Sequence, residues 1–404
     1  MTAWEIWPRD GDLGRTLDPI SVWSSLTVIE RHISNGPPTW ILEGPSEHLA
    51  VFTPGMGCIL DDPSRPVGHQ QVASGQIHSF GRSYRPDGDG RIVDTTTLGF
   101  IGDSDDLWSR LCWPDPTHAL TSTPSNFSTT YDERTGARET LLLQYIAANL
   151  GPAAPVASRR LAALLLPTTL GRGGSTTYQA RMDVLGDVVA ELAEAGDLDV
   201  RVEHDESTGT PRLSVVVEPV TDVSDDVVFG AADIARATGI VSGWDYSMDA
   251  PELTDAILFA GDDLELREGS RFTDEAAVTR WARRRERLVN QGYTDDLSVI
   301  QDAGAKALED GASPISLTFD VTDAGDAIYS ETYGLGSRVG VELPGLPVEL
   351  STPRVREVTT VIVPRQAPQR TITVGSPGAT SIDPPDAALL TKTLKRVAQI
   401  ERSR

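Results

Sequence analysis

The sequence predicts an α+β chain that is mainly β, and three observations predict it. Short alternating apolar runs broken by Gly/Pro turns fill both ends of the chain, helical spacing of apolar residues appears between them, and 404 residues are enough for several compact units. A hydrophobic share of 39% with 23% charged residues supports packed cores rather than disorder.

From Trp4 to about Pro116, residues 25–30, 39–42 and 49–52 read as strands. They are separated by Asn35-Gly36-Pro37-Pro38, Glu43-Gly44-Pro45-Ser46 and Thr53-Pro54-Gly55, and such spacing favours a barrel or sandwich. Residues 76–80 and 91–95 flank Arg85-Pro86-Asp87-Gly88-Asp89-Gly90, whose Asp-Gly pairs suit a hairpin tip; the loop lacks the ligand spacing and terminal Glu of a calcium site. Asp103-Ser104-Asp105-Asp106 opens a short helix. Residues 114–128 form a Pro/Ser/Thr linker.

Leu141, Leu142, Tyr145, Ile146 and Leu150 then share one helical face, and Met182, Leu185, Val188, Val189 and Leu192 another. Residues 198–204 and 212–218 alternate as a hairpin, residues 255–260 as a strand, and residues 274–290 and 295–309 as helices. A second β block holds strands at 314–320, 337–343, 354–363 and 371–374. A Gly/Pro loop at 376–385 leads to a last helix, with Ala387, Leu390, Leu394 and Val397 at coiled-coil spacing. The expected organisation is therefore 1–125, 130–200 (helical), 201–312 (mixed strands and two helices), 313–380 (β) and 381–404 (helix).

Lys+Arg 35 against Asp+Glu 59 gives a net charge of −24, which opposes a surface built to hold nucleic acid or anionic lipid. No apolar run is long enough to span a bilayer, and the N-terminal Met-Thr-Ala-Trp-Glu-Ile-Trp-Pro has neither part of a secretory signal, so a soluble chain made in a cytoplasm is expected. Cys58 and Cys112 read as buried small hydrophobes.

The chemistry search yields no catalytic, cofactor-binding or metal residue to commit to. G-x-S-x-G, H-E-x-x-H, paired C-x-x-C and P-loop patterns are absent from the sequence. Gly171-Arg172-Gly173-Gly174-Ser175 reads as a flexible connector between helices rather than a phosphate loop. His69 and His78 with Asp61 lack local zinc-ligand spacing and read as structural or exposed. Arg283-Arg284-Arg285-Glu286-Arg287 is expected on a helix as a solvated or inter-subunit ion-pair surface. Asp225 with Asp226, and Asp262 with Asp263, read as loop solvation, and Trp40, Trp108 and Trp113 as core.

The order of these blocks, and above all Tyr333-Gly334-Leu335-Gly336-Ser337-Arg338-Val339-Gly340-Val341, resembles the tail-tip or baseplate hub proteins of tailed phages, in particular minor tail proteins of siphophages infecting actinobacteria. The stretch is similar to that family's Y-x-L-G-D-x-V-x-V entry into a barrel strand and departs from it at Ser337, where an acid is usual. The resemblance implies two related β-barrel hub domains per chain and a homotrimeric ring of six similar barrels. It implies as partners the distal tail protein, the tape measure protein and tail fibre or receptor-binding proteins, with phage DNA passing without specific binding. It also implies a virion location at the tail tip, no enzymatic activity, no cofactor, and any lysin on another polypeptide. A cell-wall hydrolase or peptidase and a carbohydrate-binding adhesin are the alternatives.

Overall fold

The computed structural model describes residues 4–376 apart from 17, 63–64, 66–69, 87–90, 121–124, 208, 261–267, 291–296, 314, 323–326 and 346–352. The hairpin tip, His69, Asp262, Asp263 and the helix expected at 381–404 thus lie outside the described residues. Two compact units emerge: one takes the chain up to Trp244 and resumes at Thr318, and the other is formed by Asp245–Leu317.

The chain opens with β1 (Glu5–Arg9), β2 (Ser25–Arg31), β3 (Thr39–Pro45), α1 (Ser46–Leu49), β4 (Gly57–Asp61), β5 (Gln71–Pro86), β6 (Ile92–Gly102) and α2 (Asp105–Trp108). Alternation explains the strands: Leu26 and Val28, Trp40 and Leu42, and Leu98 and Phe100 point inward, with Trp40 and Phe100 stacked at 5.5 Å. Residues 49–52, expected as a strand, instead close α1 and a turn bounded by Pro45 and Pro54, and Leu49 and Phe52 still reach the core.

β7 (Asp132–Ala137), α3 (Arg138–Asn149), β8 (Leu164–Leu165), β9 (Ser175–Ala180), α4 (Leu185–Ala195), β10 (Leu198–Asp205) and β11 (Arg212–Pro219) follow. The two helical faces pack on each other and on β10 and β11 in one apolar cluster around Leu142, Tyr145, Val189, Leu192 and Val200. The segment is mixed rather than purely helical, because β7 and β9 pair antiparallel.

Then come β12 (Val228–Gly230), β13 (Gly239–Met248), β14 (Asp255–Ala260), β15 (Glu268–Thr273), α5 (Glu275–Trp281), β16 (Glu286–Asn290), α6 (Leu297–Asp310), β17 (Ile315–Thr322), β18 (Gly340–Glu342), β19 (Arg354–Ile362) and β20 (Gln369–Gly375). In the second unit β15, β14 and β16 form a small sheet, with Leu253, Leu258, Phe272 and Ile300 in its core. The single helix expected over 274–290 is broken: Ala282 turns left-handed at φ 50°, and Glu286–Asn290 pairs in parallel with β14. Parallel pairing with a strand some thirty residues upstream leaves no local periodicity to read.

The large sheet runs β1, β4, β5, β6, β3, β2, β19, β20, β17, β13, β12, β18. The mainly β class is as expected, but the two closed barrels are not: the strands make one open sheet of twelve. The physical reason is the pairing of β2 with β19, Leu26–Arg31 against Glu357–Ile362, which spends on the other half the edges that each half would need for its own closure. The isolated bridge Arg338–Arg354 brings the segment entering β18 back against the start of β19 without extending into a ladder.

Candidate functional site

The glycine-rich stretch 333–341 enters β18 through a turn fixed by three features. Gly336 sits at φ 82°, and a Cβ there would lie 3.0 Å from Asp199 Oδ1. Gly336 N donates to Val355 O at 2.9 Å, and Val355 N donates to Ser337 O at 2.9 Å. Ser337 Oγ accepts from Gly334 N at 3.1 Å, so serine does the capping that an acid would do at this position.

Around this turn lies a junction of charged side chains. Arg338 reaches Asp197 at 2.6 and 3.2 Å; Arg354 reaches Glu194 at 3.1 Å and Asp197 at 2.9 Å; Arg356 grips Glu194 and donates to Gly375 O at 3.0 Å. His32, buried, accepts at Nδ1 from Arg356 Nη1 at 3.3 Å. Burial first, and the neighbouring Arg356 charge second, push the imidazole down to about 3, so it is neutral and can accept. For Glu194, burial works upward, but the hydrogen bond and charge of Arg356 outweigh it and hold the carboxyl below its ordinary value. Three guanidiniums thus face Glu194 and Asp197, while Asp199 pairs with Arg201 at 3.3 Å and lies 3.5 Å from His32 Nε2, a buried atom without a hydrogen-bond partner. The arrangement clamps β19 and the entry to β18 onto α4 and β10, all within the first unit.

A second feature is the arm formed by the outer parts of β5 and β6. β4 pairs with Gln71–Gln76, and Ile77 N still donates to Met56 O at 3.1 Å. At His78 the register shifts, and from His78 to Pro86 the outer edge of β5 has no strand beside it among the described residues. Phe80, Tyr84 and Ile92 are 57%, 66% and 53% exposed. Arg82 holds Asp94 at 2.8 and 2.5 Å, bracing the arm across its strands.

The residues singled out in the sequence fall elsewhere. Asp61 bonds Arg15 at 2.7 Å and faces Gln71, seven residues along β5 from His78, a distance of roughly 23 Å. His78 lies near Asp105 instead. Trp40 is core, Trp108 packs where Gly186 leaves room, and Trp113 stacks under Arg159 at 4.1 Å. Gly171, Gly173 and Gly174 take positive φ in a loop pinned rather than flexible: Arg172 bonds Glu139 at 2.7 and 3.0 Å and Val217 O at 2.6 Å. Those bonds hold Glu139 down to about 2. Cys58 and Cys112 are free and buried.

In the second unit, Arg284 pairs with buried Asp255 at 3.0 Å and with Glu275 at 2.9 Å, and Arg285 bonds Pro251 O, so the arginine run, expected on a helix, lies beyond the end of α5 and ties the unit together. Asp225 and Asp226 are exposed in a turn. Sequence reasoning passed over the junction, although Arg354-Val355-Arg356-Glu357 is a signal: charges crowded into a strand destined for the interior demand partners.

A family model, Siphovirus ReqiPepy6 Gp37-like protein, matches residues 3–376. Among solved structures, the tail protein from Neisseria meningitidis MC58 is similar at 13% identity and a TM-score of 0.52, over 93% of this chain and 98% of that one. The 43 kDa tail protein of prophage MuSo2 from Shewanella oneidensis is similar at 13% identity and a TM-score of 0.51, over 93% and 99%. At these identities the likeness is one of fold. No curated protein matches the chain. Among the described residues no helix is long and apolar enough to cross a membrane.

Proposed function

The chain belongs to the Siphovirus ReqiPepy6 Gp37-like protein family and is a phage tail protein of the virion, and on that premise we propose that it is a non-enzymatic, homotrimeric tail-tip hub. In this role it joins the tail tube and distal tail ring to host-binding proteins and forms part of the DNA channel.

One observation carries the proposal. The twelve-stranded sheet divides at the β2–β19 pair into two six-stranded halves, one from residues 5–102 and the other from residues 228–375. Three chains with two six-stranded halves each supply six such halves, which suits a sixfold ring on one side and threefold fibres on the other. The non-enzymatic role is supported by how the acids are used: Asp103 with Arg9, Asp61 with Arg15, Glu139 with Arg172 and Asp255 with Arg284 are all consumed in pairs that brace the fold. The net charge of −24 per chain favours an acidic lumen along which DNA slides without sticking.

Native mass spectrometry of the purified protein is the test. A species near 130 kDa, three chains of 43.4 kDa, is expected. A stable monomer without affinity for tail proteins overturns the proposal, and clearing of host cell walls in a zymogram overturns its non-enzymatic part.

A further inference from the structure

We propose that the second unit carries a binding site for an anionic saccharide, a single sugar ring bearing a carboxylate or phosphate, in the cavity formed where α5 ends and β16 begins. The inference goes beyond the hub reading, which leaves host contact to other chains, and does not depend on it.

The cavity measures about 260 Å³ and is lined by Ala250, Pro251, Thr254, Trp281, Arg283 and Arg285. The left-handed turn at Ala282 lets the last side chain of α5, Trp281, and the side chains leading into β16 reach the same space. Half-buried Trp281 donates from Nε1 to Ser313 Oγ at 3.1 Å, so its polar edge is satisfied and what it offers the cavity is ring surface.

The cations are sorted by alternation along the chain. Arg284 is spent on Asp255 at 3.0 Å and Glu275 at 2.9 Å, and Arg287 on Glu252 at 3.5 Å, whereas Arg283 and Arg285, two residues apart, both line the cavity. Arg285 is braced: its Nη1 donates to Pro251 O at 2.7 Å, its N donates to Thr254 Oγ1 at 2.9 Å, and Thr254 N donates back to Arg285 O at 2.8 Å. Arg283 is exposed and has no ion pair among the described residues. No carboxylate lines the cavity.

Two guanidiniums on one cavity without an acid repel each other, and an anion relieves that repulsion. Their planar forks match the paired oxygens of a carboxylate or phosphate. An anion alone leaves the indole unused, whereas the C–H face of a pyranose, partly positive, suits the negative face of the ring. The volume, below the roughly 300–1,000 Å³ of sites for drug-sized ligands, suits one sugar ring with its charged group.

The test is isothermal titration calorimetry on the full chain with glucuronate, glucose 6-phosphate, methyl glucoside and inorganic phosphate. The two charged sugars should bind with a dissociation constant of about 1 mM or below, and the neutral sugar and phosphate at least roughly 10-fold more weakly. Arg283→Ala, at an exposed position, should weaken the charged sugars roughly 10-fold while circular dichroism and the thermal midpoint stay unchanged. Retention on an immobilised acidic polysaccharide, reversed by the free sugar, supports the site with a surface glycan as the source; binding of the free sugars without retention supports it with a soluble one. Failure of both charged sugars to bind, equal binding of inorganic phosphate, or unchanged affinity in Arg283→Ala overturns the inference. None of these outcomes alters the mass of the native assembly, so this site and the hub reading fail separately.

Discussion

Arg354 and Glu194, 160 residues apart in the chain, meet at 3.1 Å, with Arg356 on the same carboxylate. Neither arginine side chain is more than 6% exposed, so Glu194 neutralises charge that has little access to water. Removing one partner of such a cluster costs more than the pair contributes net, because the remaining charges stay buried.

Glu194→Ala should accordingly lower unfolding stability by about 2–4 kcal/mol in urea titrations. Glu194→Gln, which keeps one acceptor oxygen for the arginines and loses the charge, should cost less. Equal, negligible losses for both would show that the junction is not a clamp.

Acid should loosen the first unit in two stages, first at His32 in this junction and then at Glu139 beside Arg172. His32 is held down to about 3 in the folded chain against an ordinary 6.5, so its contribution is full above pH 6.5 and is lost as pH falls toward 3. Glu139, held at about 2 against 4.5, contributes fully above pH 4.5 and loses this as pH falls toward 2. His32→Gln should flatten the stability profile in the upper window and Glu139→Gln in the lower one, measured as urea midpoints from pH 7 to pH 2.5.

Gly75 lies where β5 crosses β6 too closely for any side chain: a Cβ would stand 2.0 Å from Ile101 O. Gly75→Ala should destabilise by about 3 kcal/mol or more through forced backbone movement. A soluble variant with an unchanged thermal midpoint would refute the close approach.

The two thiols should be silent in the folded protein. Burial pushes Cys112 up to about 12 and Cys58 further still, leaving almost no thiolate at neutral pH. An aromatic disulfide reagent should titrate no thiol in buffer and two in denaturant.

What could be read from the sequence follows the range of the interactions. α4 was plain from Leu185, Val188, Val189 and Leu192, and the β10–β11 hairpin from two alternating runs and a short turn, because each is stabilised within its own neighbourhood. The open sheet was not, because β2 chooses β19 over a closer strand and nothing in Ser25–Arg31 names a partner in Arg354–Ile362. The break at Ala282 was hidden for a similar reason: β16 is a strand by virtue of β14. The stretch 333–341 was legible as a turn into a strand, but its engagement with Asp197 and Asp199 depends on an insert that no local pattern couples to it.

The β2–β19 seam also sets a timetable. Arg31 bonds Glu357 across 326 residues, so the centre of the sheet waits until residue 357 has left the ribosome. At about 5–20 residues per second, β2 stands without that neighbour for roughly 15–65 s. Folding of the first unit is therefore slow, as contacts so distant along the chain dictate. Until β19 arrives, the nascent N-terminal strands carry a second open edge, and polypeptides truncated before residue 354 should be recovered as aggregates or on chaperones.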